Sequence, residues 1–272
     1  MINNKIFLKN FYPYITSNAS LSSYCILNHE EYPYNIKRKT LLVLPGGGYE
    51  FVSKREGEPI AIKFMAEGFN VFVLDYSVGD FTFPFPLIEA YAAISYIRNH
   101  ADKYNVDPNY IGVLGFSAGG HLAASISNYF KDEYYSNLLN EPNENIKIDF
   151  TILSYPVTTM DNKLTHQTTK FKITQNDTKL IEYFDLINNI NGYFPPTFIW
   201  TTIEDDIVSY QNSLLMKKAL EDKNIKNNLV LYNHGHHGGA TCDELTNSKE
   251  DAESFGNAKK WIKEASIFIR SL

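Results

Sequence analysis

The sequence predicts an α/β fold: a mostly parallel central sheet of about eight strands flanked by helices, in one domain over residues 1–272, with a small cap inserted at 157–191. Three observations predict it. Short apolar runs at 40–44, 70–76 and 111–114 lack polar alternation, as strands buried on both faces do. Helix-forming stretches separate them, so strand and helix alternate, which implies right-handed crossovers and parallel pairing. The chain, at 272 residues and 44% hydrophobic, is long enough for one large core, with no internal repeat and no dividing linker.

In order, 6–15 and 22–28 carry strand-like apolar and aromatic content broken by Pro13, Asn18 and Ser20, and read as an opening hairpin. The strand at 40–44 ends in Pro45-Gly46-Gly47-Gly48-Tyr49. A helix is expected over 58–67, closed by Gly68. After the strand at 70–76, the stretch 77–87, with Pro84, Pro86 and three Phe, reads as a loop. The stretch 88–103 reads as an amphipathic helix with Ile88, Ala92, Tyr96, Ala93 and Ile97 toward the core. Residues 105–108 read as a turn into the strand 111–114, and 121–127 as the helix beyond it. The polar, Asn-rich stretch 131–147 reads as a surface excursion and 148–155 as a strand stopped by Pro156. Only one helix, 178–187, is legible within 157–191, which lies where an insertion covers the site of many α/β enzymes. Strands at 195–202 and 229–232, a helix at 213–222 and a closing helix at 253–270 complete the chain.

A net charge of -6 and the lack of a long basic run argue against nucleic acid or an anionic membrane surface as partner. No apolar run approaches ~18 residues, so no membrane span is expected. The N-terminal stretch lacks a secretory leader's apolar core and cleavage site, and a cytoplasmic protein is expected. Cys25 and Cys242 match no metal or redox spacing and are expected as reduced thiols.

The chemistry centres on residues 111–127. A buried strand leads into Gly115-Phe116-Ser117-Ala118-Gly119, a G-x-S-x-G pattern, and then a helix. The pentapeptide alone is weak, but strand, serine and helix together make a nucleophile elbow, with the Ala118 amide at the helix start free to donate to an anion. Three consecutive glycines after the strand at 40–44 leave successive N–H groups free to point into one cavity, so Gly47 and Gly48 read as oxyanion donors. A phosphate loop would continue into GK[ST] or show G-x-G-x-x-G, and neither follows.

A serine hydroxyl needs an imidazole to take its proton and a carboxylate to orient that imidazole. The carboxylate is Glu204, Asp205 or Asp206, all just after the strand 195–202; Asp205 is favoured by its D-x-x-V spacing to Val208, with Asp206 the alternative. The imidazole is His234, His236 or His237, with His237 favoured by its glycine-flanked turn. Three clustered histidines also suit a metal, but no regular metal motif is present and neither metal nor cofactor is expected. His121 reads as a structural helix residue, and His29, His100 and His166 carry no motif.

Four blocks together, LPGGGY at 44–49, Asp75-Tyr76, GFSAGGHLAA at 115–124, and TTIEDDIVSYQNSL with YNHGHHG, resemble the α/β-hydrolase superfamily, and within it small bacterial esterases of the hormone-sensitive-lipase-like and carbohydrate acetyl esterase type. The resemblance implies Ser117 as nucleophile, Asp205 as orienting acid, His237 as general base, and the amides of Gly47, Gly48 and Ala118 as oxyanion hole. It implies a serine carboxylesterase for short acyl esters, acetylated carbohydrates among them, acting on a small-molecule substrate. An amidase uses the same residues; a non-catalytic binding protein would typically lack one of them. Pro45 stands where hormone-sensitive-lipase-like members have the His of HGGG, Ser77-Val78-Gly79 follows Asp75-Tyr76 in place of their usual run, and Ser209 follows D-x-x-V in place of Pro. These departures leave subfamily and substrate open.

Overall fold

The computed structural model describes residues 4–32, 35–80 and 83–272. The strands are β1 (Lys5–Phe7), β2 (Ser20–Tyr24), β3 (Arg38–Leu44), β4 (Asn70–Asp75), β5 (Val106–Phe116), β6 (Thr151–Ser154), β7 (Thr197–Thr202) and β8 (Asn227–Tyr232). The helices are α1 (Glu58–Ala66), α2 (Phe85–Asn99), α3 (Ala118–Tyr129), α4 (Glu133–Leu139), α5 (Asn143–Ile146), α6 (Gln167–Thr174), α7 (Thr178–Phe184), α8 (Leu186–Asn189), α9 (Gln211–Asp222), α10 (Lys249–Ser254) and α11 (Trp261–Arg270).

The strands form one eight-stranded sheet in the order β1-β2-β4-β3-β5-β6-β7-β8. β1 and β2 run antiparallel to their neighbours and the rest are parallel. Successive side chains of β3 face opposite ways, Leu42 and Leu44 into the layer of α2, α3 and α9, Leu41 and Val43 into the layer of α1 and α11. Burial on both faces explains the unbroken apolar run, and Leu41–Leu44 are each 0% exposed, which stabilises the fold by roughly 1.5–3 kcal/mol per side chain. Parallel β3, β5, β7 and β8 end on one edge of the sheet, so the loops that follow them converge there.

Several boundaries differ from the sequence expectations. The opening hairpin is narrower: only Lys5–Phe7 and Ser20–Tyr24 pair, and residues 8–10 form a 3-10 turn. Helix α2 starts at Phe85, inside the stretch read as loop, because Pro86 sits in the first turn, where no backbone donor is needed; residues 81 and 82 of that loop lie outside the described residues. It stops at Asn99, four residues early, as 101–105 turn into β5 through Asn105 at φ +54°. Nor is α2 amphipathic in place: Pro86–Ile97 are all buried, with Phe11 packed on Tyr96 and Tyr135 on Tyr91 at ring-centroid distances of 4.7 and 5.0 Å. Val106 through Pro108, expected as a turn, already belong to β5, with Val106 opposite Arg38 across a register shift.

The excursion 131–147 is partly helical, and α4 and α5 bury Tyr135, Leu139 and Ile146. β6 is shorter than expected: it begins at Thr151 rather than 148, and at its other end Tyr155, at φ +37°, leaves strand geometry. The insertion 157–191 holds three helices rather than one; α6 was not legible, as its start depends on His166 capping Thr169. The closing helix is two, interrupted at Gly256, which lies at φ +49° and opens a 3-10 turn. Among the described residues no helix is long and apolar enough to cross a membrane. Cys25 and Cys242 are buried and free.

Candidate active site

Ser117 occupies the one-residue joint between β5 and α3, at φ +52° and ψ −118°. An L-residue held at positive φ is strained, and neighbouring backbone enforces it. The Ser117 amide donates to Ser154 O at 3.0 Å, and its carbonyl accepts from Val157 N at 3.1 Å and His121 N at 3.2 Å. The joint is too tight for side chains nearby: a Cβ on Gly119 would lie 2.1 Å from Leu44 O and 2.4 Å from Pro45 O. That glycine lets α3 start against the end of β3 and so brings the elbow beside the triple-glycine loop.

His237, on the loop after β8, meets Ser117 across 120 residues of sequence: its Nε2 lies 2.9 Å from Ser117 Oγ. Its Nδ1 lies 2.7 Å from Asp205 Oδ2. A carboxylate only accepts, so Nδ1 carries the proton and Nε2 accepts from the serine hydroxyl. The Asp205 side chain is 1% exposed. Its other oxygen accepts from the amides of Ile207 at 3.0 Å and Val208 at 2.8 Å, and the latter bond accounts for the D-x-x-V spacing. Neighbouring candidates are engaged elsewhere. Glu204 pairs with His234 at 2.9 Å on the surface, a contact that lowers its carboxyl pKa, and Asp206 is exposed. His236 Nδ1 lies 2.7 Å from His237 O, and its ring packs on Phe255.

Gly47 lies at φ +126°, where a Cβ would meet Phe51 O at 2.0 Å. Among the described residues, the amides of Gly47 and Gly48 donate to no partner. The Ala118 amide, first in α3, is one of the free donors of a helix start. The glycine loop reaches the serine through Gly46, where a Cβ would lie 3.0 Å from Ser117 Cβ.

Two histidines not expected to act in the chemistry, His121 and His166, lie close to the site. Buried His121 has Nε2 3.1 Å from Phe184 O, so it donates there, and its Nδ1 accepts from the Tyr49 hydroxyl at 3.2 Å. It ties the elbow helix to the glycine loop and to the insertion. His166 caps α6, its Nδ1 accepting from Thr169 N at 3.4 Å. Its Cε1 would lie 3.5 Å from a Cβ on Gly48, so the insertion adjoins the glycine loop. Neither placement is legible in the sequence, since His121 meets Tyr49 and Phe184, and His166 meets Gly48, across distant segments.

Burial depresses the His121 pKa from 6.5 to about 4. The unfolded chain therefore binds a proton between those values that the fold does not, so stability present above pH 6.5 is lost as pH falls toward 4. That interval is worth about 3 kcal/mol at most. His121→Gln should be less stable than wild type at pH 7.5, with a shallower loss of stability between pH 6.5 and 4, read from urea melts across that range. Equal slopes for the two proteins would remove His121 as the titrating group.

A family model described as BD-FAE matches residues 32–220. Endo-1,4-beta-xylanase B of Butyrivibrio fibrisolvens is 33% identical over 244 residues, 86% of this chain and 37% of that protein. Acetylxylan esterase of Xylanibacter ruminicola is 30% identical over 76% of this chain and 42% of its own length. The chain thus spans less than half the length of these two relatives. Among solved structures, an acetyl ester-xyloside bifunctional hydrolase from Caldicellulosiruptor lactoaceticus matches with TM-score 0.82 and 30% identity, covering 98% of this chain and 96% of that one. The carboxylesterase Cest-2923 from Lactobacillus plantarum, at 23% identity and TM-score 0.87 over 100% of this chain and 98% of its own, shares the fold.

Proposed function

Because the chain belongs to the BD-FAE family, we propose that it is a serine carboxylesterase that hydrolyses short-chain acyl esters, acetylated carbohydrates among them. The observation that carries this reading is the continuous relay from Ser117 Oγ through His237 to buried Asp205, at 2.9 and 2.7 Å. The names of the relatives, acetylxylan esterase and acetyl ester-xyloside hydrolase, support the acetylated-sugar substrate.

Ser117 would attack the ester carbonyl as His237 Nε2 takes its proton. Asp205 would hold the imidazole in the tautomer that accepts at Nε2, and would stabilise the imidazolium. The amides of Gly47, Gly48 and Ala118 would hold the tetrahedral oxyanion, a term commonly worth about 3 kcal/mol per donor. His237 would then protonate the leaving alcohol, and water would attack the acyl-enzyme by the same relay. Residues 157–191 are read as a cap, supported by His166 and Thr168 bordering Gly48 and by Lys172 lying 3.9 Å from Glu50.

Hydrolysis of p-nitrophenyl acetate, butyrate and octanoate, with acetate release from acetylated xylan, tests the reading. Turnover is expected to fall steeply from acetate to octanoate, with acetate released from the polymer. Silence on every ester, with turnover of p-nitroacetanilide, would overturn it in favour of an amidase.

A further inference from the structure

We infer that Glu56 is a positioning residue for this hydrolysis: one buried carboxylate braces the glycine loop directly and the histidine loop through the Tyr155 hydroxyl. The inference rests on the esterase reading above. Glu56 is 4% exposed. Its Oε2 accepts the Gly46 amide at 2.7 Å, and its Oε1 accepts the Tyr155 hydroxyl at 2.7 Å. That hydroxyl in turn accepts the Ala240 amide at 3.1 Å, three residues beyond His237. The Tyr155 ring stands edge-on to the His237 imidazole, centroids 4.9 Å apart at 67°. Tyr155 also follows Ser154, whose carbonyl receives the Ser117 amide.

Three chain segments therefore register on one side chain: the entry to the glycine loop, the turn after β6 that clasps the elbow, and the loop carrying His237. A Cβ on Gly46 would lie 3.0 Å from Glu56 Oε2 and 3.0 Å from Ser117 Cβ, so the carboxylate stands close to the nucleophile. Among the described residues no cation pairs with it. Burying a carboxylate with neutral partners alone is costly, and a fold selected only for stability would do better with an apolar side chain. What a carboxylate supplies here is two acceptors. It turns the Gly46 peptide and the Tyr155 hydroxyl toward itself at once, and leaves the next two amides of the loop free. A glutamine has one acceptor end: if it keeps the Gly46 bond it can only donate to Tyr155, whose hydroxyl must then turn its own proton away.

Donors and imidazole act on charge that exists only in the transition state, so misplacing them lowers kcat and leaves ground-state binding largely alone. The test compares wild type, Glu56→Gln, Tyr155→Phe and the double variant of the full chain on p-nitrophenyl acetate. Thermal melts and inhibition by phenylboronic acid, whose serine adduct is tetrahedral, accompany the kinetics. Glu56→Gln is expected to lose about 10–100-fold in kcat with KM within about twofold, and to weaken phenylboronic acid in proportion to kcat/KM. Tyr155→Phe should lose about tenfold, and the double variant should be no worse than Glu56→Gln, because the pair acts as a unit. Unchanged kcat in folded variants, a rise in KM alone, or multiplicative losses would overturn the inference. If Glu56→Gln fails to fold, Tyr155→Phe decides alone: lower kcat at constant KM upholds it, and wild-type kcat overturns it. A wild type silent on every ester would instead sink the esterase reading, and this inference with it.

Discussion

Ser117→Ala is expected to lower ester turnover by about 10^4-fold or more while leaving the fold intact. The substitution removes one oxygen atom, the one 2.9 Å from His237 Nε2. It keeps the constraint at the elbow, since alanine at φ +52° meets the same backbone as serine. The remaining activity would come from substrate binding and the free amides. kcat/KM on p-nitrophenyl acetate, together with a thermal melt, checks the result. A protein that melts with wild type and keeps near-normal turnover would mean that Ser117 is not the nucleophile.

Asp205→Asn should cost about 10^4-fold in kcat, and Asp206→Asn less than about twofold. An amide in place of the carboxylate can present an N–H to Nδ1. That favours the tautomer with its proton on Nε2, which cannot accept from the serine. The two remaining acceptor bonds, from Ile207 and Val208, lie on the other oxygen and hold the loop in place. Asp206 is exposed and stands outside the relay. Equal losses in the two variants would point to a disturbed loop rather than to an orienting carboxylate.

The elements easiest to read in the sequence are those whose cause is local. The run Leu41–Leu44 announces a strand buried on both faces, because each face of β3 meets its own layer of helices. The G-x-S-x-G pattern announces the elbow because a close approach such as Gly119 against Leu44 O leaves no room for a side chain. Where neighbours far along the chain decide, the same reading stops short. Helix α2 reads as amphipathic, yet distant Phe11 and Tyr135 pack on it and Pro86–Ile97 are all buried. Its start is misplaced because prolines look like loop residues when the first-turn position that tolerates them is unknown.

By itself, then, the sequence determined the alternation of strands and helices, the serine at its elbow, the glycine loop, and two short lists of three residues for the acid and the base. Only the tertiary structure decided which members meet, since the Ser117–His237 and His237–Asp205 contacts span 120 and 32 residues. Glu56 shows the limit most clearly. Its partners Gly46 and Tyr155 lie 10 and 99 residues away, and the first glutamate of EGEP carries no sign of them. Local pattern records what a residue needs from its immediate backbone, whereas a buried polar contact exists only once the sheet has brought the ends of β3, β6 and β8 together.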